Sequence, residues 1–126
     1  MGRYQLEAAI QYIHAHRARS GTVDWPQIAL LYEGLVKIAP NIGALIGRAV
    51  ALAQAGQPAA GLAALDEIPA HRIAGYQPYW AARGHLLELM DRRGEAKDDF
   101  VRAAGLTSEP ALRAYLMKRS SFKEVL

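Results

Sequence analysis

Apolar residues recur along this chain at intervals of three and four, the spacing of one helix face, and strand-like alternation is absent. Leu6, Ala9, Ile10 and Ile13 form the first such stripe and predict a helix from about Tyr4 to Arg19, ended by Ser20-Gly21-Thr22. Asp24 is placed to cap a second helix with Pro26 in its first turn. Ile28, Leu31, Tyr32, Leu35 and Ile38 would be its buried face. After Pro40-Asn41 a third helix is expected over about 42–55, closed by Gly56 in a left-handed cap. Pro58 opens a fourth helix, to about Glu67. An irregular stretch, Ile68 to Gln77, precedes a fifth helix from Pro78 to about Met90. A sixth runs from about Gly94 to Ala104. Thr107-Ser108-Glu109-Pro110 starts a seventh, ending near Lys118.

Composition agrees with an all-helical reading. Among the 126 residues are 24 alanines and 15 leucines, against 15 valines, isoleucines and threonines together. The first two favour helix and the others strand. No cysteine is present, which excludes disulfides, thiolate metal sites and cysteine nucleophiles. No apolar run approaches the ~20 residues of a membrane span. The net charge of +3 arises entirely after residue 109, from Arg113, Lys118, Arg119 and Lys123 against Glu124. Four acid-first pairs spaced by four, Glu33–Lys37, Glu88–Arg92, Asp98–Arg102 and Glu109–Arg113, suit exposed helix surfaces.

A shift of 35 residues superposes the chain on itself. Leu45 meets Trp80, Arg48 meets Arg83, Ala49 meets Gly84, Leu52 meets Leu87, Gly61 meets Ala96 and Leu65 meets Phe100. The later unit follows the tetratricopeptide pattern W-x2-L-G-x2-Y, then A-x3-F: Trp80, Arg83, Gly84 and Leu87, then Ala96 and Phe100. Small side chains belong where two antiparallel helices cross, and large ones around that crossing. Arginine replaces leucine at 48 and 83, and leucine stands twice in the tyrosine slot. Ile28, Tyr32, Leu35 and Pro40 mark an earlier, degenerate unit. The expected architecture is antiparallel helix hairpins stacked as a short, tetratricopeptide-like right-handed superhelix of about seven helices. One domain, 1–119, would hold pairs at about 4–38, 42–67 and 78–104 and a capping helix at 109–118. Residues 120–126 would be a tail.

The segments Tyr4-Gln5-Leu6 with Ala8-Ala9-Ile10, Asp24-Trp25 with Leu31-Tyr32, and Arg48-Ala49-Val50-Ala51 resemble the C-terminal extension of a group of bacterial extracytoplasmic-function sigma factors. The likeness spans about Gly2 to Arg119. That family often has asparagine before the Arg-Ala-Val-Ala segment, where this chain has Gly47. The resemblance implies a tetratricopeptide-like regulatory domain acting in transcription initiation in the bacterial cytoplasm. The polymerase-binding and promoter-reading regions would precede residue 1, and promoter DNA would be met only through them. Partners would be those sigma regions or the RNA polymerase core.

Few residues suggest chemistry of their own. His14 and His16, two apart on a helix, diverge too far to share a metal. No HExxH, G-x-S-x-G or phosphate loop occurs. Asp98 and Asp99 are adjacent and face different ways. No enzyme, metal, cofactor, membrane contact or small-molecule substrate is expected. In stacked hairpins the first helix of each pair lines an inner groove, which places Ile10, Ile13, Arg17, Ile46, Val50, Ala81, His85 and Glu88 there. Such a groove suits a helix or extended peptide. The in-phase arginines 48 and 83 could meet acidic groups or tie repeats together, and Trp25, Tyr32, Trp80 and Phe100 stand at core spacing. Two rivals remain: a free-standing scaffold with a peptide groove, and nucleic-acid contact through the basic C-terminus.

Overall fold

A computed structural model describes residues 1–121, and the backbone alone at residues 17–20. Residues 122–126, most of the expected tail, lie outside this description. The described residues are helical throughout, without a strand: α1 (Arg3–Ser20), α2 (Trp25–Ile38), α3 (Ile42–Gln54), α4 (Pro58–Asp66), α5 (Ala70–Ile73), α6 (Gln77–Leu89), α7 (Arg93–Gly105) and α8 (Pro110–Ser120). From α1 to α4 and from α6 to α8 each helix packs on the next, and α3 and α4 both pack on α6. The result is a repeat-like stack of helix hairpins.

One element exceeds the expected seven. α5 is a single turn inside the stretch read as irregular, with Pro69 at its N-cap. It exists because Ile68 and Ile73 both turn inward to the main core. The capping helix also runs on through Ser120, which is buried rather than part of a tail.

Local chemistry sets the helix ends. The Asp24 carboxylate accepts from the Gln27 amide at 3.1 Å, and the Asn41 side chain accepts from the Ala44 amide at 2.8 Å. Each satisfies a donor that the first helical turn leaves open. At the end of α3, Gly56 takes a φ of +95°. The Gly56 amide donates to the Ala53 carbonyl and the Gln57 amide to Leu52, each at 3.0 Å, closing a Schellman motif. Thirty-five residues later the same motif ends α6. The Asp91 amide donates to Glu88 and the Arg92 amide to Leu87. There the left-handed position is held by Asp91, with a φ of +58°.

Two cores share α3. Leu6, Ile10, Ile28, Leu35, Ala44 and Ala51 are the buried members of one, built by α1, α2 and one face of α3. The larger core holds Ile46, Ala49 and Ala53 from the other face of α3, with residues of α4 to α8. The helix crossings are close. A methyl group on Gly61 would meet the Ala49 carbonyl oxygen at 2.5 Å, and one on Gly84 would meet the Phe100 ring at 3.0 Å. Ala49 and Ala96 are wholly buried. Gly47, where the sigma-factor extensions often have asparagine, is equally tight: a methyl group there would lie 2.5 Å from the Tyr32 ring.

Several expected details change. Ile38 is 53% exposed and Leu30, on the same helix, 70% exposed. Of the four expected core aromatics only Phe100 is fully buried, and Tyr79, which was not among them, is buried as well. Trp80 is half-buried. Its indole N–H donates to the Ile73 carbonyl at 3.1 Å, and Arg102 stacks 3.9 Å from its ring centroid. Among the described residues none of the four expected acid-first pairs forms. Glu33 pairs instead with Arg48 at 3.4 Å, Glu88 with Arg119 at 3.1 Å, and Arg92 with Glu95 at 2.7 Å. Exposed pairs along one helix are worth only a few tenths of a kcal/mol, too little to hold a charge against another partner within reach.

These geometries set two stability expectations. Gly61→Ala forces α3 and α4 apart and should cost about 1–3 kcal/mol in denaturant unfolding. Asp91→Gly relieves a left-handed residue and should stabilise by roughly 0.5–1 kcal/mol, read as a raised midpoint with an unchanged slope. A stable Gly61→Ala chain or a destabilised Asp91→Gly chain contradicts the packing and cap described.

Candidate interaction surface

The residues expected to line an inner groove do not form one surface. Ile10 and Ile46 are buried core residues, one in each core, because the spacing that aims a side chain inward also serves the interface between repeats. Ile13 is half-buried beside a recess formed with Tyr12, His16, Thr22, Asp24 and Gln27. The Arg17 side chain lies outside the described residues. Val50 and Ala81 are half-buried against the larger core.

The packing residues named from the repeat divide similarly. Leu65, Leu87, Ala49, Ala96, Gly61, Gly84 and Phe100 are buried, while Leu45, Leu52 and Trp80 are half-buried at the margins.

His85 and Glu88 do come together, at a cluster that α8 completes. Arg119, on the last turn of α8, donates to Glu88 Oε2 at 3.1 Å and to the Tyr115 hydroxyl at 2.8 Å. Its guanidinium lies 4.6 Å from the Phe100 ring centroid and 3.4 Å from His85 Nδ1. His85 Nε2 is 2.7 Å from Gln54 Oε1 on α3. Burial first, and the neighbouring Arg119 charge second, hold His85 below the ordinary imidazole pKa, with Glu88 opposing them. From the end of α8 the Arg119 side chain thus reaches His85 and Glu88, two of the positions where a groove was expected.

The basic surplus is partly internal. Arg113 donates through Nη2 to the Thr107 carbonyl at 2.6 Å and through Nε to Ala104 at 3.3 Å, covering acceptors at the end of α7. Arg48 and Arg83 are interhelical ties: Arg48 reaches back to Glu33 on α2, and Arg83 forward to Asp99 on α7 at 2.9 Å. Asp99 is only 5% exposed. Burial is the leading influence and raises its carboxyl pKa, while Arg83 pulls the other way.

Two recesses went unforeseen. One of about 200 Å³ lies between α1, α2 and the start of α3, lined by Glu7, Ile10, Gln11, Tyr32 and Asn41. Burial, and then the nearby Glu7 charge, raise the Tyr32 pKa. The other, about 320 Å³, is apolar and formed by Pro26, Ala29, Leu30, Leu52 and Ala55, with Glu33 at its edge. The signal for it was Leu30, an apolar residue outside the core stripe of α2. Among the described residues no group of three or more histidines and acids could hold a metal ion, and no helix is long and apolar enough to cross a membrane.

No protein-family model matches this chain, and no solved structure matches it. An uncharacterized protein of Rhizobium meliloti (strain 1021) is 36% identical over 115 residues, 91% of this chain and 27% of the relative. The chain therefore spans about a quarter of that relative, whose length (115 residues at 27%) is about 430.

The Arg83–Asp99 tie carries an expectation with a defined pH dependence. Arg83→Met leaves a buried carboxylate without its cation and should cost about 1–3 kcal/mol at neutral pH. A carboxyl whose folded pKa is raised favours the fold below its unfolded pKa and loses that contribution as pH rises through the folded value. The deficit of Arg83→Met should therefore shrink on acidification, as Asp99 takes a proton. Paired unfolding curves at neutral and acidic pH read it, and a pH-independent deficit would show that Asp99 is not the strained group.

Proposed function

We propose that this chain is a non-catalytic regulatory and protein-interaction domain of a bacterial sigma factor, acting in transcription initiation beside promoter-reading and core-binding regions outside it. The observation that carries this reading is a stack of helix hairpins, the architecture of a docking domain, aligned with only 27% of a longer relative. The resemblance over Gly2 to Arg119 supplies the family. The expected location is the cytoplasm. The partners are the N-terminal sigma regions or the polymerase core, and the mechanism is placement: the helical stack holds the promoter-binding regions, and initiation depends on whether its surface is occupied. The internal use of Arg113 and Arg119 favours protein partners over nucleic acid, since it leaves a thinner basic stripe than DNA or RNA contact needs.

The test is transcription in vitro by polymerase core with the intact sigma factor and with the same protein lacking residues 1–126. A several-fold change in promoter-specific initiation, or in core binding, is expected. Equal initiation and equal core affinity would end the proposal.

A further inference from the structure

The cluster around Arg119 has the parts of a switch. Three helices supply its receptor: Gln54 from α3, His85 and Glu88 from α6, and the Phe100 ring from α7. The fourth, α8, supplies the guanidinium and the Tyr115 hydroxyl. Both imidazole nitrogens are engaged. With Nε2–H donating to Gln54 Oε1 at 2.7 Å, the Nδ1 lone pair faces Arg119 Nη2 at 3.4 Å. This assignment is self-consistent only for the neutral ring, because Arg119 can donate and cannot accept.

We propose that His85 gates an arginine latch: with its imidazole neutral the receptor holds Arg119 and the last turn of α8 on the inner face, and a proton on His85 releases them. The proton would enter at Nδ1, where it ends the contact with Arg119 and sets an imidazolium against a guanidinium. The charged groups acting on His85 are Arg119 from α8 and Glu88 from α6. α3 presents the neutral Gln54 amide and α7 the uncharged Phe100 ring. Glu88 softens the repulsion, but burial and Arg119 outweigh it. The earlier turns of α8 are kept in place independently, by the buried Leu116 and half-buried Leu112 in the larger core and by Arg113 on the carbonyls of Ala104 and Thr107. Release therefore concerns only the turn after Leu116, residues 117–120. It frees the half-buried side chains of His85 and Glu88 on α6, so a partner docking there must displace Arg119 or find it already displaced. That consequence rests on the interaction reading above. The latch itself is tested with no partner present, so either idea can fail alone.

The test combines a ring titration of His85 by NMR with amide-exchange protection factors along α8, referred to α3 in the same chain. A histidine whose folded pKa lies below its unfolded value of about 6.5 contributes stability above that value and loses it as pH falls through the folded pKa. Protection at residues 117–120 should therefore fall several-fold across that window in the native chain. It should stay level in His85→Gln, whose amide takes no proton. Arg119→Met keeps the apolar stem and removes the charge, and should move the His85 titration up toward the ordinary value. An equal pH-dependent loss of protection in His85→Gln would overturn the latch. So would a His85 titration unmoved in Arg119→Met, a readout that survives even if the histidine variant fails to fold.

Discussion

Two cores lean on one thin wall. α3 buries Ala44 and Ala51 toward α1 and α2, and Ile46, Ala49 and Ala53 toward α4 and α6. Alanine gives up no rotamer freedom when buried on both sides, and its methyl group lets neighbouring axes close in. The closest approach is at Ala49, whose carbonyl oxygen lies where a side chain on Gly61 would have to go. A larger residue on either face of this helix would be felt in both cores, because close-packed interiors transmit strain rather than absorb it. The hairpin of α1 and α2 is therefore joined to the rest through α3, and the order of the stack follows from that helix.

Thin walls leave less apolar area at each interface, and arginines tie the layers together at their margins. Arg48 joins α3 to α2, Arg83 joins α6 to α7, Arg113 joins α8 to the end of α7, and Arg119 joins α8 to α6. The guanidinium suits this role because one planar group serves carboxylates, carbonyls and ring faces together. These ties differ in strength. Glu33 is exposed, so its pair with Arg48 contributes little, whereas Asp99 is buried and depends on Arg83.

What could be read from the sequence was what depends on residue size and backbone conformation. The 35-residue recurrence of small and large residues was visible because a helix crossing admits only small side chains, wherever it recurs. Asp24, Gly56 and Pro58 marked helix ends by their own chemistry. Asp91 carried no such mark, since aspartate takes a left-handed cap only under constraint from its surroundings. α5 was missed because one turn has no periodicity and is held by Ile68 and Ile73 reaching a distant core. The charge partners were misassigned for a related reason. Glu88 and Arg92 are four apart in sequence, but α8 brings Arg119 to Glu88 from 31 residues away. The inner-face set failed at Ile10 and Ile46 because inner lining and repeat interface share one spacing, and only the packing of the next helix separates them.

The availability of the inner face is a matter of competition between α8 and anything else that binds there. Arg119 and Glu88 are about a quarter and a third exposed, so the latch is screened but still partly desolvated. If it contributes about 1–2 kcal/mol, the last turn of α8 is released in roughly 3–15% of molecules. A partner that needs the uncovered face then binds more weakly than its intrinsic affinity by that fraction, a penalty of about 7- to 30-fold. Such a penalty is too small to prevent binding and large enough that a single proton, or a single substitution at Arg119, changes occupancy. A C-terminal helix bound this loosely at its tip and firmly at its start can uncover a surface without unfolding the stack that carries it.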